Sequence, residues 1–246
     1  MTPRGPRTAA RSGLAAALVM LAACAQTAVQ PQGPTVTTRL GRPARVLVYD
    51  LATSPGEIHP DQGVLHQVAN AATGMQASER DAALGDQAQN AFSTELVSRI
   101  NAMGLRAERA SVGTGAAPGD VKIVGAFLDI DQGNQLRRLV IGLGAGASEI
   151  DAEIEVLQAT AAKPVRVAQF STHADSGEMP GAALTMGAGA AATGGVSVGL
   201  AAANVAVSGA KAFRSQIEQM AGRSADKAAD YLARVFAQQG WITTQP

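Results

Sequence analysis

Three groupings of residues have types and spacings that could do chemistry. Gly195-Val196-Ser197-Val198-Gly199 fits G-x-S-x-G, the turn on which a hydrolase presents a nucleophilic serine. In that turn's usual chain order an acid and then a His follow the serine, yet His59, His66 and His173, the three histidines of the chain, all precede Ser197. A tract this rich in Gly and Ser produces the pattern by chance, so no catalytic residue is assigned and the chain is read as a non-enzyme. His59, Asp61 and His66, in HPDQGVLH, could offer two imidazoles and a carboxylate to a metal. Their spacing matches no structural zinc pattern and no second cluster completes four ligands, so they stand as weak metal candidates in a polar loop. GLGAGAS, after Leu139-Val140-Ile141, has the glycines of a phosphate loop without its Lys or the G-x-G-x-x-G spacing. No cofactor is expected.

A fourth feature that could do chemistry is the single cysteine. Arg4, Arg7 and Arg11 precede an apolar run, Gly13 to Ala23, too short to span a bilayer as a helix, and the run ends in Leu21-Ala22-Ala23-Cys24. This looks like a bacterial lipoprotein signal, residues 1–23, whose lipobox cysteine is acylated and becomes the mature N-terminus. A lone cysteine exported to an oxidising compartment has no internal disulfide partner, and lipidation of Cys24 explains why there is one and only one. Two or more acyl chains anchor stably, at about 0.8 kcal/mol per buried CH₂. Residue 25 is Ala rather than the Asp that commonly retains such proteins at the inner membrane, so the expected address is the outer membrane, facing the periplasm. With the signal removed, 17 basic residues remain against 20 acidic ones. That balance, without a basic run, excludes nucleic acid as a partner and leaves the membrane as the expected one.

The elements that must carry these residues follow from periodicity. Residues 24–43 are polar, with two prolines between Ala25 and Leu40, and read as a flexible tether; a single α+β domain is expected over 44–246. Arg45 to Leu51 is a short β-branched strand, and the 26 residues after it form a long loop without a period. Ser78 opens a helix whose stripe is Leu84, Ala88, Phe92, Leu96 and Ile100, and Gly104 stops it. Short strands are expected at Leu105 to Ala110 and Val121 to Asp131. In Glu149 to Gln158, apolar Ile150, Ala152, Ile154 and Val156 alternate with four acids, which makes a strand with one wet acidic face; Val165 to Thr172 is its antiparallel partner. The acids spread along the strand, so a solvated face near Arg166 or Arg137 is expected in preference to a cation site. A second amphipathic helix, Ser215 to Gln239, ends at Gly240, with Trp241 folding back on it. The order β-α-β-β-β-β-α gives a mixed, mostly antiparallel sheet with two helices on one face. With aromatics at 3%, the core is expected to be built of Ala, Val, Leu and Ile.

A Gly/Ala-rich insertion, 179–210, carries no charge and falls well short of a Leu-rich span in hydrophobicity. Gly195 and Gly199 form a G-x-x-x-G pair, and Gly142 with Gly146, Gly144 between them, forms another; such rows let backbones approach closely. Three readings stay open for the tract: a small-residue loop or hairpin, a helix against another copy or the bilayer surface, or strands of an oligomeric pore using Val196, Val198 and Leu200.

The run DIDQGNQLRRLVIGLGAGASE, Asp129 to Glu149, resembles the uncharacterised lipoprotein family called domain of unknown function 4410. Gly133-Asn134, Arg137-Arg138, the Gly142-x-Gly144-x-Gly146 run, Ser148-Glu149 and the later Gly/Ala tract carry the resemblance, which implies no assigned activity. More loosely, a lipobox followed by this element order is similar to periplasmic assembly lipoproteins such as the curli secretion channel. The expected function is a lipid-anchored, non-catalytic interaction or assembly module, able to form a homo-oligomer or to hold an envelope protein partner. The alternatives are a pore- or secretion-related oligomer and a ligand- or metal-binding periplasmic module.

Overall fold

The computed structural model describes residues 26–33, 36–53, 55–59, 77–131, 147–176 and 198–243. In chain order the elements are β1 (Thr27–Pro31), β2 (Val46–Tyr49), a 3-10 turn (Pro55–Glu57), β3 (Ile58–His59), α1 (Ala77–Ala102), β4 (Ala107–Ala110), β5 (Val121–Asp131), β6 (Glu149–Gln158), β7 (Val165–Asp175) and α2 (Val198–Gln239). They build one seven-stranded sheet, ordered β1-β7-β6-β5-β2-β4, with β3 also on β5. The fold is α+β. One hydrophobic cluster joins the sheet to both helices.

The sheet is evenly mixed rather than mostly antiparallel, a correction to the expectation. β1, β7, β6 and β5 pair antiparallel, whereas β2 pairs parallel with both β4 and β5, and β3 pairs parallel with β5. The cause is connectivity: α1 carries the chain from the end of β2 back to the start of β4, which forces those two strands to run the same way. The stretch after β2, expected as a long loop, continues along β5. Val46 faces Val121, Ala52 bridges Ala126, and Ile58 faces Ile130.

The tether expectation is also corrected. Gln26 to Pro31 form the edge of the sheet on β7, Gln32 N–H donates to Gln169 O at 2.8 Å, and Val36 N–H to Val167 O at 3.3 Å. Farther along, Gln239 clasps the chain by donating to Val36 O and accepting from Leu40 N–H, while Trp241 Nε1 donates to Leu40 O. The physical reason is burial, because Val29, Val36 and Leu40 pack against the core. Pro31 is tolerated because an edge strand leaves one backbone side unpaired.

Periodicity served well for the helices. Leu84, Ala88, Phe92, Leu96 and Ile100 of α1 are all buried, and Gly104 takes φ +83° just past the helix, the left-handed stop. Asn101 then fastens α1 to β4, its side-chain amide donating to Val97 O and Ala107 O and accepting from Ala107 N–H. α2 buries Ile217, Met220, Ser224, Ala228, Tyr231, Leu232 and Val235, and Gly240 ends it at φ +75°. Trp241 folds back as expected, its N–H on Phe236 O and its ring 5.3 Å from that of Phe236. The helix starts 17 residues before the expected Ser215, at Val198. Val198 and Leu200 are therefore helical, which removes the pore-strand reading of those two residues; residues 177–197, with Val196 and Gly195, lie outside the described residues.

Ser224 is buried among apolar neighbours and its hydroxyl donates to Thr172 Oγ1 at 2.7 Å, a buried polar link between α2 and β7. Ser224→Ala is expected to lower stability by about 1–3 kcal/mol, because a buried partner loses its hydrogen bond. Thr172→Val combined with Ser224→Ala should recover most of that loss in urea titrations, since both polar groups then go together.

Candidate functional site

The strand registers gather chemistry at one end of the sheet. Ile58, Ile130, Ile150, Ala174 and Thr27 lie in one row across β3, β5, β6, β7 and β1. Beside that row, Asp129 faces Asp151, Asp131 faces Glu149, Glu149 faces Asp175, and Asp151 faces His173. Three of these four cross-strand pairs oppose like charges, which is locally destabilising. The alternation that puts Ile150, Ala152 and Ile154 in the core sends Glu149, Asp151 and Glu153 to the outer face.

Two histidines enter this rim. His173 Nδ1 lies 2.8 Å from Asp151 Oδ1, and its Nε2 lies 3.8 Å from Asp175 Oδ2. His59, at the end of β3, is exposed and lies 3.8 Å from Asp129 Oδ1, an otherwise unbonded buried oxygen. Burial raises the Asp129 carboxyl above its ordinary range; nearby Asp131 and Asp151 push the same way, and His59 opposes them. Burial likewise raises Glu149, aided by Asp129 and Asp151. The rim can therefore hold protons and attract cationic groups. Farther along, Gln169 donates to Glu153, and Arg166 donates to Glu155, so that part of β6 is the solvated, paired face that the sequence suggested.

These raised values carry a pH dependence with a definite sign. As pH falls from neutral through the folded values of Asp129 and Glu149 towards about 4, the folded state takes up protons before the unfolded chain does, so stability rises. Asp120 works in the opposite sense. Burial disfavours its charge, but the Arg45 hydrogen bond and the Ala117 N–H more than offset it and hold the carboxyl below its ordinary range. Its contribution is present above the ordinary carboxyl value and is lost as pH falls through the folded one. Melting temperatures between pH 7 and 4 are expected to show a shallower pH slope in Asp129→Asn than in the parent.

The remaining ionic clusters hold elements together. Arg45 joins Glu108 of β4 to Asp120 before β5. Arg109 of β4 meets Asp50 and Asn90, and buried Ser93 donates to Asp50, pinning the crossover helix to both strands it connects. Arg99 of α1 bridges Asp226 and Asp230 of α2, in a groove of about 440 Å³ that Thr27, Arg223 and Lys227 also line.

Of the candidate metal, lipidation and assembly residues named from the sequence, His59 and Gly199 fall within the described residues, and Gly199 lies in α2. Cys24, Asp61, His66, Gly142, Gly144, Gly146, Gly195 and Ser197 lie outside them. Among the described residues, no group of three or more His, Cys, Asp or Glu could hold a metal, and no helix is long and apolar enough to cross a membrane. Sequence reasoning passed over Asp129, Asp131, His173 and Asp175 as site residues. The signal was there in the acids ending Val121 to Asp131 and in His173-Ala174-Asp175, but only the register brings them to Glu149 and Asp151.

The profile of a family described as Domain of unknown function (DUF4410) matches residues 46–193, more than half of the chain. No curated protein matches the sequence. Among solved structures, the PelC dodecamer from Paraburkholderia phytofirmans is similar at 13% identity and a TM-score of 0.33, covering 89% of this chain and 100% of that one. A point variant of that dodecamer gives 13% and 0.32, with 87% and 97% covered. Similarity at that level establishes neither a shared assembly nor a shared activity.

Proposed function

The chain belongs to this family of unknown function, and we propose that it is a lipid-anchored module of the cell envelope, acting through protein contacts or assembly and not through catalysis. One observation carries the reading: the apolar run Gly13 to Ala23 closes on Leu21-Ala22-Ala23-Cys24, the only cysteine of the chain. Acylation there, with palmitate among the chains, places the domain at the outer membrane on the periplasmic side, as Ala25 favours. The structural use of Arg45, Asp120, Asp50, Arg109 and Ser93 supports a non-catalytic role, since these polar groups are committed to joining strands and helix. The uncharged stretches around Gly142 to Gly146 and Gly195 to Gly199 are the sequence segments proposed for self-assembly.

The detergent-extracted chain is expected to sediment as an assembly whose population grows with concentration. A strict monomer at every concentration, with detergent and without it, contradicts the assembly part of this reading.

A further inference from the structure

The two edges of the sheet are finished differently. β4 forms one of them. Val46 N–H reaches Arg106 O, so Ala107 and Arg109 turn their backbone groups away from β2. Both groups of Ala107 are taken by the Asn101 side chain, which accepts from its N–H at 2.9 Å and donates to its C=O at 3.0 Å. The amide of Asn101 thus stands where a further strand would pair, and Glu108 and Arg109 add charge to that edge.

β1, at the other edge, lacks such a cover. Gln26 O accepts from Asp175 N–H and Gln32 N–H donates to Gln169 O, so Gln26, Ala28, Gln30 and Gln32 turn their backbone groups towards β7. Thr27 and Val29 therefore each point an N–H and a C=O away from the sheet, and Pro31 points a C=O alone. Among the described residues none of these outward groups has a backbone partner. Gln26, Ala28, Gln30 and Pro31 are exposed, and the run QTAVQPQ from Gln26 to Gln32 carries no charge. The charged side chains that commonly protect a free edge are missing, and Pro31 guards only the end of the strand.

We propose that β1 pairs with β1 of a second copy, antiparallel about a two-fold axis at Val29, so that two sheets become one. This rests on the assembly reading above and gives it a contact separate from the glycine segments. Three features select a second copy. The strand is neutral, so two copies meet without like charges face to face. Its outward groups are self-complementary: Val29 exchanges both hydrogen bonds with Val29 of the second copy, and Thr27 N–H meets the C=O of Pro31. Every outward N–H is then satisfied, and the N–H that proline lacks falls at the outermost pair. Finally, Asn101 blocks head-to-tail growth from β1 onto β4, so the pairing closes at two copies, the isologous arrangement.

The test follows self-association of the full chain in detergent by sedimentation. Val29→Pro removes the outward N–H without touching a bond to β7, and an edge strand tolerates proline. Val29→Ala trims the side chain and keeps that N–H. The parent and Val29→Ala are expected to pair with similar dissociation constants, whereas Val29→Pro raises the constant about tenfold or more, because two hydrogen bonds are lost per pair. Hydrogen exchange on the parent needs no substitution: the Thr27 and Val29 amides should exchange about tenfold more slowly in concentrated than in dilute protein. Unchanged association of folded Val29→Pro overturns the edge pairing and leaves assembly standing. So do Thr27 and Val29 amides that exchange alike at both concentrations while the chain associates. A parent that stays monomeric at every concentration overturns both. Slow exchange of these two amides in dilute protein, with a second polypeptide present by mass, overturns the second copy in favour of a foreign strand.

Discussion

Gly125→Ala prevents stable pairing of β5 with β6. A methyl group is normally well tolerated in a strand, and Gly in a strand interior is itself a weak choice. Here a Cβ would overlap Glu153 O and lie 3.2 Å from Ile154 Cα, both of them backbone atoms of the paired strand. No rotamer change relieves that overlap. Only separation of the central ladder does, and β5 is also the strand that β2, the Ala52 bridge and β3 lie against. The expected loss exceeds about 4 kcal/mol, a size reserved for changes that break a core constraint. It should appear as a collapsed urea midpoint or as insoluble expression. Gly222→Ala is the matched control. A Cβ at that point of α2 meets nothing within 4 Å, so the same chemical change is expected to stabilise by about 0.5–1 kcal/mol.

Phe170→Ala is expected to cost about 3–5 kcal/mol and to lower the melting temperature by roughly 10 °C. The ring is fully buried, 4.8 Å from that of Tyr231, and it sits on β7 opposite both Ile154 and Pro31. The core cluster to which it belongs includes Ala168, Ala174, Ala225, Ala228 and Ala229, small residues with no side chain long enough to fill the space. The core was expected to rest on Ala, Val, Leu and Ile, yet Phe92, Phe127, Phe170 and Phe236 are among its largest fully buried side chains. Low aromatic content does not reduce the role of aromatics when four of the five Phe residues are placed centrally. Because Phe170 pairs with Pro31 at the end of β1, its loss should also increase proteolytic cleavage between Gln26 and Pro31, which limited proteolysis can read separately from global melting.

The elements with strong periodicity were legible from the sequence. β5 and β6 run from Val121 to Asp131 and from Glu149 to Gln158 as expected, and the stripes of α1 and of α2 from Ile217 onward face the core. The antiparallel pairing of β6 with β7 was legible from the short turn between them, but the parallel direction of β2 and β3 was not. Apolar alternation is the same in parallel and antiparallel strands, so the parallel pairs of β2 and β3 had no local signature. β1 was hidden because TAVQP offers two inward positions and a proline, and it is held by hydrogen bonds to β7 that no local pattern announces. The early turns of α2 were hidden for the opposite reason. Val198 to Ala210 lacks charged residues, so it shows no polar face against which an amphipathic period could be read. In the rim, the acids of β6 were evident, but their convergence with Asp129, Asp131 and Asp175 depends on register.

Attachment of fatty acyl groups at Cys24 is the claim on which the proposed lipid anchor stands. Intact and peptide mass spectrometry of the protein extracted from the membrane fraction measures it directly. The mature chain should begin at Cys24, lack residues 1–23, and carry the added mass of a diacylglycerol thioether, with or without a further amide-linked chain. A free thiol at Cys24, on protein recovered from the soluble fraction, would contradict the account.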